Sequence, residues 1–222
     1  ARAAKPRWLL CEGTRIDKDE IDSEEEVKNT IGKLISKSKG LVFVEHPIRD
    51  IDRVNSVYKA AKENKREFVV NLKLTYLIKA LDNLSPIKLD DVKILVPQKG
   101  WGLICKDNMD CRLVEQDYET WEREFIFRKN AITYKELQKN PKKYVVSMSF
   151  WEINHLTDIR PKDAIWIKSS CEPFCEEMEL DEERKKNWLK HFKIKEYFAH
   201  ASGHASGKEI KAMIKDINPK EL

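Results

Sequence analysis

Apolar residues along this chain fall into two alternating patterns, short solid runs and longer stretches spaced three and four apart, and the alternation predicts strands interleaved with helices. Leu41-Val42-Phe43-Val44, Phe68-Val69-Val70, Val92-Lys93-Ile94-Leu95-Val96, Tyr144-Val145-Val146-Ser147-Met148 and Ala164-Ile165-Trp166-Ile167 are short and apolar on both sides. A half-exposed antiparallel strand would alternate, whereas a strand covered on both faces need not. Between the runs lie helical stripes. Val27, Ile31, Leu34 and Ile35 follow a capping box, Ser23 with Glu26, and Gly40 closes that helix. Ile51, Val54, Tyr58 and Ala61 define a second helix from about Asp50 to Asn64, and a third covers about Lys73 to Leu81. The expected fold class is α/β, a mainly parallel sheet with helices on both faces.

The ends and the middle extend the pattern. Trp8-Leu9-Leu10-Cys11 reads as a short strand ending in Glu12-Gly13-Thr14. One helix is expected around Leu113 to Phe127, a short one after Thr133, one around Trp151 to Leu156, and an acidic one from Glu182 to Phe192. Tyr197-Phe198-Ala199-His200 follows. A last helix opens at Ser206 with Glu209 completing a capping box, carries Ile210, Met213, Ile214 and Ile217 as its stripe, and stops before Pro219. No internal repeat and no low-complexity linker interrupts the chain, so a single domain is the economical expectation.

Charge changes this picture little. The 42 basic and 38 acidic residues among 222 leave a net charge of +4, so any nucleic-acid contact must come from local placement of basic groups. No apolar run approaches the roughly 20 residues of a membrane span, and the first residues lack a signal-peptide core, so a cytoplasmic protein without membrane contact is expected. Five cysteines, an odd number, read as free thiols. Cys105, Cys111, Cys171 and Cys175 have spacings that fit a zinc knuckle poorly. The six tryptophans are spread without basic runs beside them, and core packing is their default.

Two segments carry candidate chemistry. Glu12 is expected at the carboxyl end of a strand, where parallel sheets place ligands. Ser202-Gly203 precedes a helix whose first amides could meet a phosphate, with Gly203 permitting close approach and Ser202 adding a hydroxyl. His204 can donate to a phosphate or a leaving oxygen and titrates near neutrality. A carboxylate holding such a histidine protonated would make a general acid for phosphodiester cleavage. Each has a plainer alternative. Glu12 could cap a turn, His200 and His204 could sit in a simple strand-to-helix connection, and Arg49 and Arg53 could be ordinary exposed helix residues.

Leu9-Leu10-Cys11-Glu12-Gly13-Thr14-Arg15 followed by Ser23-Glu24-Glu25-Glu26, and His200-Ala201-Ser202-Gly203-His204 continuing to Pro219-Lys220, resemble β-CASP nucleases of the RNase J branch. Arg49-Asp50-Ile51-Asp52-Arg53-Val54 resembles the family's arginine-containing helix, and Ser170-Cys171-Glu172-Pro173-Phe174 an archaeal-type turn. The likeness implies the β-CASP domain of the metallo-β-lactamase nuclease superfamily over residues 1–222, with short flanking pieces of the lactamase domain at both ends. It implies Glu12 and His204 as the paired acidic and histidine motifs. His200, Ser202, Gly203, Arg49 and Arg53 would grip RNA phosphates.

None of the five histidines belongs to a His-x-His-x-Asp-His run, so this chain is expected to hold no metal. Two zinc ions are expected by resemblance in the intact parent, held by the missing metallo-β-lactamase domain. The parent is expected to hydrolyse single-stranded RNA as a 5′-to-3′ exonuclease, an endonuclease or both, with a homodimer possible. The chain alone is expected to be inactive. The alternative is a catalytically dead RNA- or protein-binding module with the same fold. A small nucleotide-binding α/β protein would need a glycine-rich loop after the first strand, and Glu12-Gly13-Thr14-Arg15 has one glycine.

Overall fold

The structure, a computed structural model, describes residues 6–19, 23–100 and 111–222. Trp101, Cys105 and the side chain of Cys111 lie outside the described residues. The chain divides into two compact units, Glu24–His200 and a smaller one formed by Ala1–Ser23 with Ala201–Leu222.

The larger unit is built on seven described strands: β1 Val42–Glu45, β2 Glu67–Val70, β3 Lys93–Leu95, β4 Ala131–Ile132, β5 Tyr144–Ser147, β6 Ile165–Lys168 and β7 Lys195–Phe198. They lie in the order β4-β3-β2-β5-β1-β6-β7, and every neighbouring pair is parallel. The α/β expectation with a parallel sheet holds. Successive side chains of a strand point to opposite faces, and both faces are covered. Phe43, Val69, Leu95, Val146 and Trp166 pack with Leu137 of α6 (Tyr134–Lys139), Leu156 and Ile159 of α7 (Leu156–Ile159) and Leu189 of α8 (Glu176–His191). Ile94 and Ala131 join Leu72 of α3 (Leu72–Leu81), Val114 of α4 (Cys111–Asp117) and Phe125 of α5 (Thr120–Ile126). α2 (Ile51–Glu63) packs on β2, with α1 (Glu24–Lys37) against it.

Topology opens one place at the carboxyl edge. β5 is inserted between β2 and β1. From β2 the chain runs outward to β3, but from β5 it runs the other way, past β1 to β6. The two connections therefore part where β2 and β5 lie side by side.

The helix expected over 113–127 is two helices. Tyr118 is buried with its hydroxyl donating to the Pro97 carbonyl (2.6 Å), and Glu119 then caps α5 in a box with Glu122. The region around Trp151 is a 3-10 segment, Phe150–His155, running into α7, and the acidic helix begins at Glu176. Strand β4 was not anticipated: two residues are too few to show a period.

In the smaller unit, α9 (Gly207–Ile217) starts as expected, with Ser206 and Glu209 forming the capping box. Its stripe is narrower than expected, since Met213 is exposed. Trp8-Leu9-Leu10-Cys11 is not a sheet strand. Trp8 makes a single bridge to Glu221, and Trp8 and Leu10 are 60% and 93% exposed. Glu12 consequently does not stand at the end of a sheet strand. Among the described residues, no helix is long and apolar enough to cross a membrane.

Candidate active site

Within the smaller unit, the loop after residue 11 and the loop before α9 bring one carboxylate to one imidazole. Glu12 Oε2 lies 3.2 Å from Nδ1 of His204, with both side chains about half exposed. Glu12 also accepts from the Thr14 backbone N–H (3.0 Å). Hydrogen bonds from Thr14 hold the Glu12 carboxyl below the usual carboxylate range, and the nearby His204 adds to that. With an ionised carboxylate as its neighbour, Nδ1 of His204 is the donor, and Nε2 is the ring's other nitrogen. The backbone N–H of His204 donates to Ser202 Oγ (3.2 Å), tying the loop into a tight turn.

The expectation that helix amides after Ser202-Gly203 bind phosphate needs correction. α9 begins four residues beyond Gly203, and two of its first three amides are occupied. Gly207 N–H donates to the Lys18 carbonyl (2.7 Å), and Glu209 N–H to Ser206 Oγ (3.3 Å). Glu209 folds back to accept from the Ser206 amide and hydroxyl, placing a carboxylate where an anion would sit. Gly207 is required there, since a Cβ would run into the Ile16 carbonyl oxygen. Gly203 is exposed with open space around it, so no such crowding constrains it.

Within the larger unit, His200 belongs to a different cluster. Arg53 is 1% exposed. Its Nε and Nη2 donate to the Glu24 carboxylate (3.0, 3.0 and 2.6 Å), and its Nη1 to the Ser169 carbonyl (2.8 Å) and hydroxyl (2.9 Å). Nη1 also stands 2.9 Å from Nδ1 of His200. A guanidinium can only donate, so Nδ1 accepts and the ring N–H is Nε2. Ser56 donates to Glu24 (3.0 Å), and Ser169 Oγ donates to the Ala199 carbonyl (2.5 Å). Burial alone would raise the Glu24 pKa, but hydrogen bonds and charge from Arg53 outweigh it and bring the carboxyl below its usual range. Arg53 is therefore not a phosphate-gripping side chain: it is buried, and its donors are directed at these partners. Its role is to position His200. Arg49 is exposed and lies outside this cluster.

No protein-family model matches the chain, and no curated protein matches it. Glu24 and Ser169 were missed at the sequence level, Glu24 because it looked like one acid in a helix start. A signal existed for Arg53: it shares helical spacing with Val57 and Ala60, a basic residue on an apolar stripe. Among the described residues, no three His, Cys, Asp or Glu side chains gather as a metal-binding group. Cys171 and Cys175 are exposed free thiols.

Proposed function

We propose that this chain is the RNA-gripping β-CASP portion of a zinc-dependent ribonuclease of the RNase J class, acting on phosphodiester bonds of single-stranded RNA. One observation carries the reading: a carboxylate from the beginning of the sequence and an imidazole from its end meet at 3.2 Å, as the resemblance requires of Glu12 and His204. Glu12 remains an anion, accepts from Nδ1 of His204 and orients the ring. Nε2 is then the nitrogen that carries a proton to the leaving oxygen. In the larger unit His200, its Nδ1 facing Arg53, has Nε2 as its donor toward a phosphate oxygen; in the smaller unit Ser202 is the hydroxyl assigned to the same kind of contact.

A pair of zinc ions in the parent would activate water and offset phosphate charge. The described residues offer no fitting ligand set, so no step of this chain runs through zinc. Its share of the chemistry is binding, orientation and one proton.

The test is fluorescence anisotropy of the 222-residue chain with a labelled single-stranded oligoribonucleotide. Binding is expected to weaken as salt rises. His200→Ala and His204→Ala should each weaken it by about tenfold, the scale of one hydrogen bond to a charged group. No cleavage should follow when zinc is added. Absence of binding at low salt would remove the reading, and robust cleavage by the chain with zinc would overturn the division of labour.

A further inference from the structure

The larger unit holds a cavity of about 480 Å³ that plays no part in the chemistry above. It lies over the carboxyl ends of the central strands, lined by His46 after β1, Asn71 after β2, Lys99 beyond β3, and Ser149, Trp151 and Glu152 after β5. This is the place where the connections from β2 and β5 part, and open parallel sheets bind ligands in such crevices. We propose that the cavity binds the base of a nucleoside.

Its floor is rigid. His46 is buried, with Nδ1 against the Pro47 carbonyl (3.2 Å) and Nε2 accepting from Ser147 Oγ (2.9 Å). Burial also lowers its pKa, so the ring stays neutral. Asn71 caps α3 through the Leu74 amide (2.8 Å) and donates to Glu152 Oε2 (2.8 Å), which also accepts from the Ser149 amide and hydroxyl. Those bonds fix Glu152 while leaving its Oε1 without a hydrogen bond among the described residues. A clamped acceptor of this kind suits an amino or ring N–H donor.

Charge narrows the ligand further. Lys99 is paired with Glu122 (2.8 and 2.6 Å), and of the remaining lining residues Lys73 balances Glu152. With both histidines neutral the lining carries no net charge, and burial pushes the His155 pKa down as well. A phosphate would find no surplus cation here, whereas a neutral ring with donors and acceptors would.

Trp151 supplies the third constraint. It is 77% exposed at the rim, and Phe150 meets its ring edge-on at a centroid distance of 5.3 Å. A tryptophan held beside a polar cavity, with its ring in water, is a stacking surface, and stacking on an aromatic plane is how proteins hold unpaired bases. A flat, neutral heterocycle with a hydrogen-bonding edge satisfies all three features. No glycine-rich phosphate loop is needed, because the base is what is held.

The inference does not depend on the ribonuclease reading. The test is isothermal titration of the whole chain with adenosine, guanosine, cytidine and uridine, with ribose 5-phosphate as control. At least one nucleoside is expected to bind, Trp151→Ala to weaken it by about tenfold or more, and Trp151→Phe to retain most of it. Circular dichroism should report an unchanged melting midpoint, since the indole is exposed. No heat with any nucleoside at millimolar concentration, equal binding by Trp151→Ala, or equal binding of ribose 5-phosphate would each overturn the proposal. A chain that binds RNA but no nucleoside loses this site alone. One that binds a nucleoside but no RNA keeps this site and loses the ribonuclease reading.

Discussion

Replacing Arg53 with alanine separates a positioning arginine from a phosphate-binding one. The guanidinium is 1% exposed and serves Glu24, Ser169 and His200 together. Breaking a buried ion pair by removing one partner costs about 3–5 kcal/mol. The Glu24 side chain is 38% exposed and regains water, which takes the pair to the low end of that range. The buried Ser169 carbonyl and Nδ1 of His200 each lose a donor, adding about 1 kcal/mol. A net loss of about 3–4 kcal/mol lowers the melting midpoint by roughly 6–16 °C at this chain length. Arg53→Lys restores the charge but not the planar fork, so it should recover only part of the loss. Thermal and urea unfolding followed by circular dichroism measure these shifts, and nitrogen-15 imidazole spectra report the ring tautomer. In the parent chain His200 should carry its proton on Nε2, and in Arg53→Ala it should become a mixture. The pH dependence has a definite sign. Glu24 has a folded pKa below its ordinary value of 4.5, so its contribution is present above that value and is lost as pH falls through the lower folded one. The gap between parent and variant should narrow in that acid window. A midpoint shift under about 2 °C, or an Nδ1–H tautomer in the parent, would refute the positioning role.

Lys185→Met should cost about 3–5 kcal/mol in urea unfolding, because the buried ammonium serves Glu45, Glu196 and Glu182 at 2.9, 2.8 and 3.0 Å and its loss leaves three carboxylates together. Burial opposes its charge, but those carboxylates raise its pKa above 10.5, so its contribution is complete below that value and is lost as pH climbs through the raised one. Burial holds the His46 pKa below 6.5, so the unfolded chain binds that proton first and stability falls as pH drops below 6.5; His46→Leu should flatten this slope in urea titrations across pH. Gly40→Ala drives a methyl into the Lys162 and Asp163 carbonyls and should cost about 1–3 kcal/mol, while Gly203→Ala, with nothing nearby, should change stability by less than about 0.5 kcal/mol.

Central strands were legible because each is buried on both sides, so its sequence shows a solid apolar run whatever its neighbours. The same signal misled at Trp8-Leu9-Leu10-Cys11. A run of four apolar residues reports a preference for burial, and nothing within it states whether a sheet edge is available to receive it; Leu10 remains almost fully exposed. The split between α4 and α5 is likewise a tertiary matter, since the Tyr118 hydroxyl finds its acceptor at Pro97, outside the segment that the pattern covers. The cap at the last helix fared better. Ser206 and Glu209 act within one turn, so the residues that make the contact are also those that announce it.

The two histidines of the candidate motif show what spacing leaves undecided. His200 and His204 are the same side chain four residues apart, and either could be read as phosphate donor or proton carrier. Their partners assign them opposite protonation patterns. Beside His200 stands a group that can only donate, so Nδ1 is an acceptor and a proton there would face the Arg53 guanidinium. Beside His204 stands a carboxylate that accepts, so Nδ1 carries hydrogen and a second proton on Nε2 meets no opposing charge from Glu12. A proton-transferring ring needs both nitrogens for the task, and in the proposed reading that ring is His204. With Nδ1 accepting from Arg53, the N–H of a neutral His200 ring is on Nε2. Under the proposed function, the division between gripping and proton transfer rests on Arg53 and Glu12 more than on the histidines beside them.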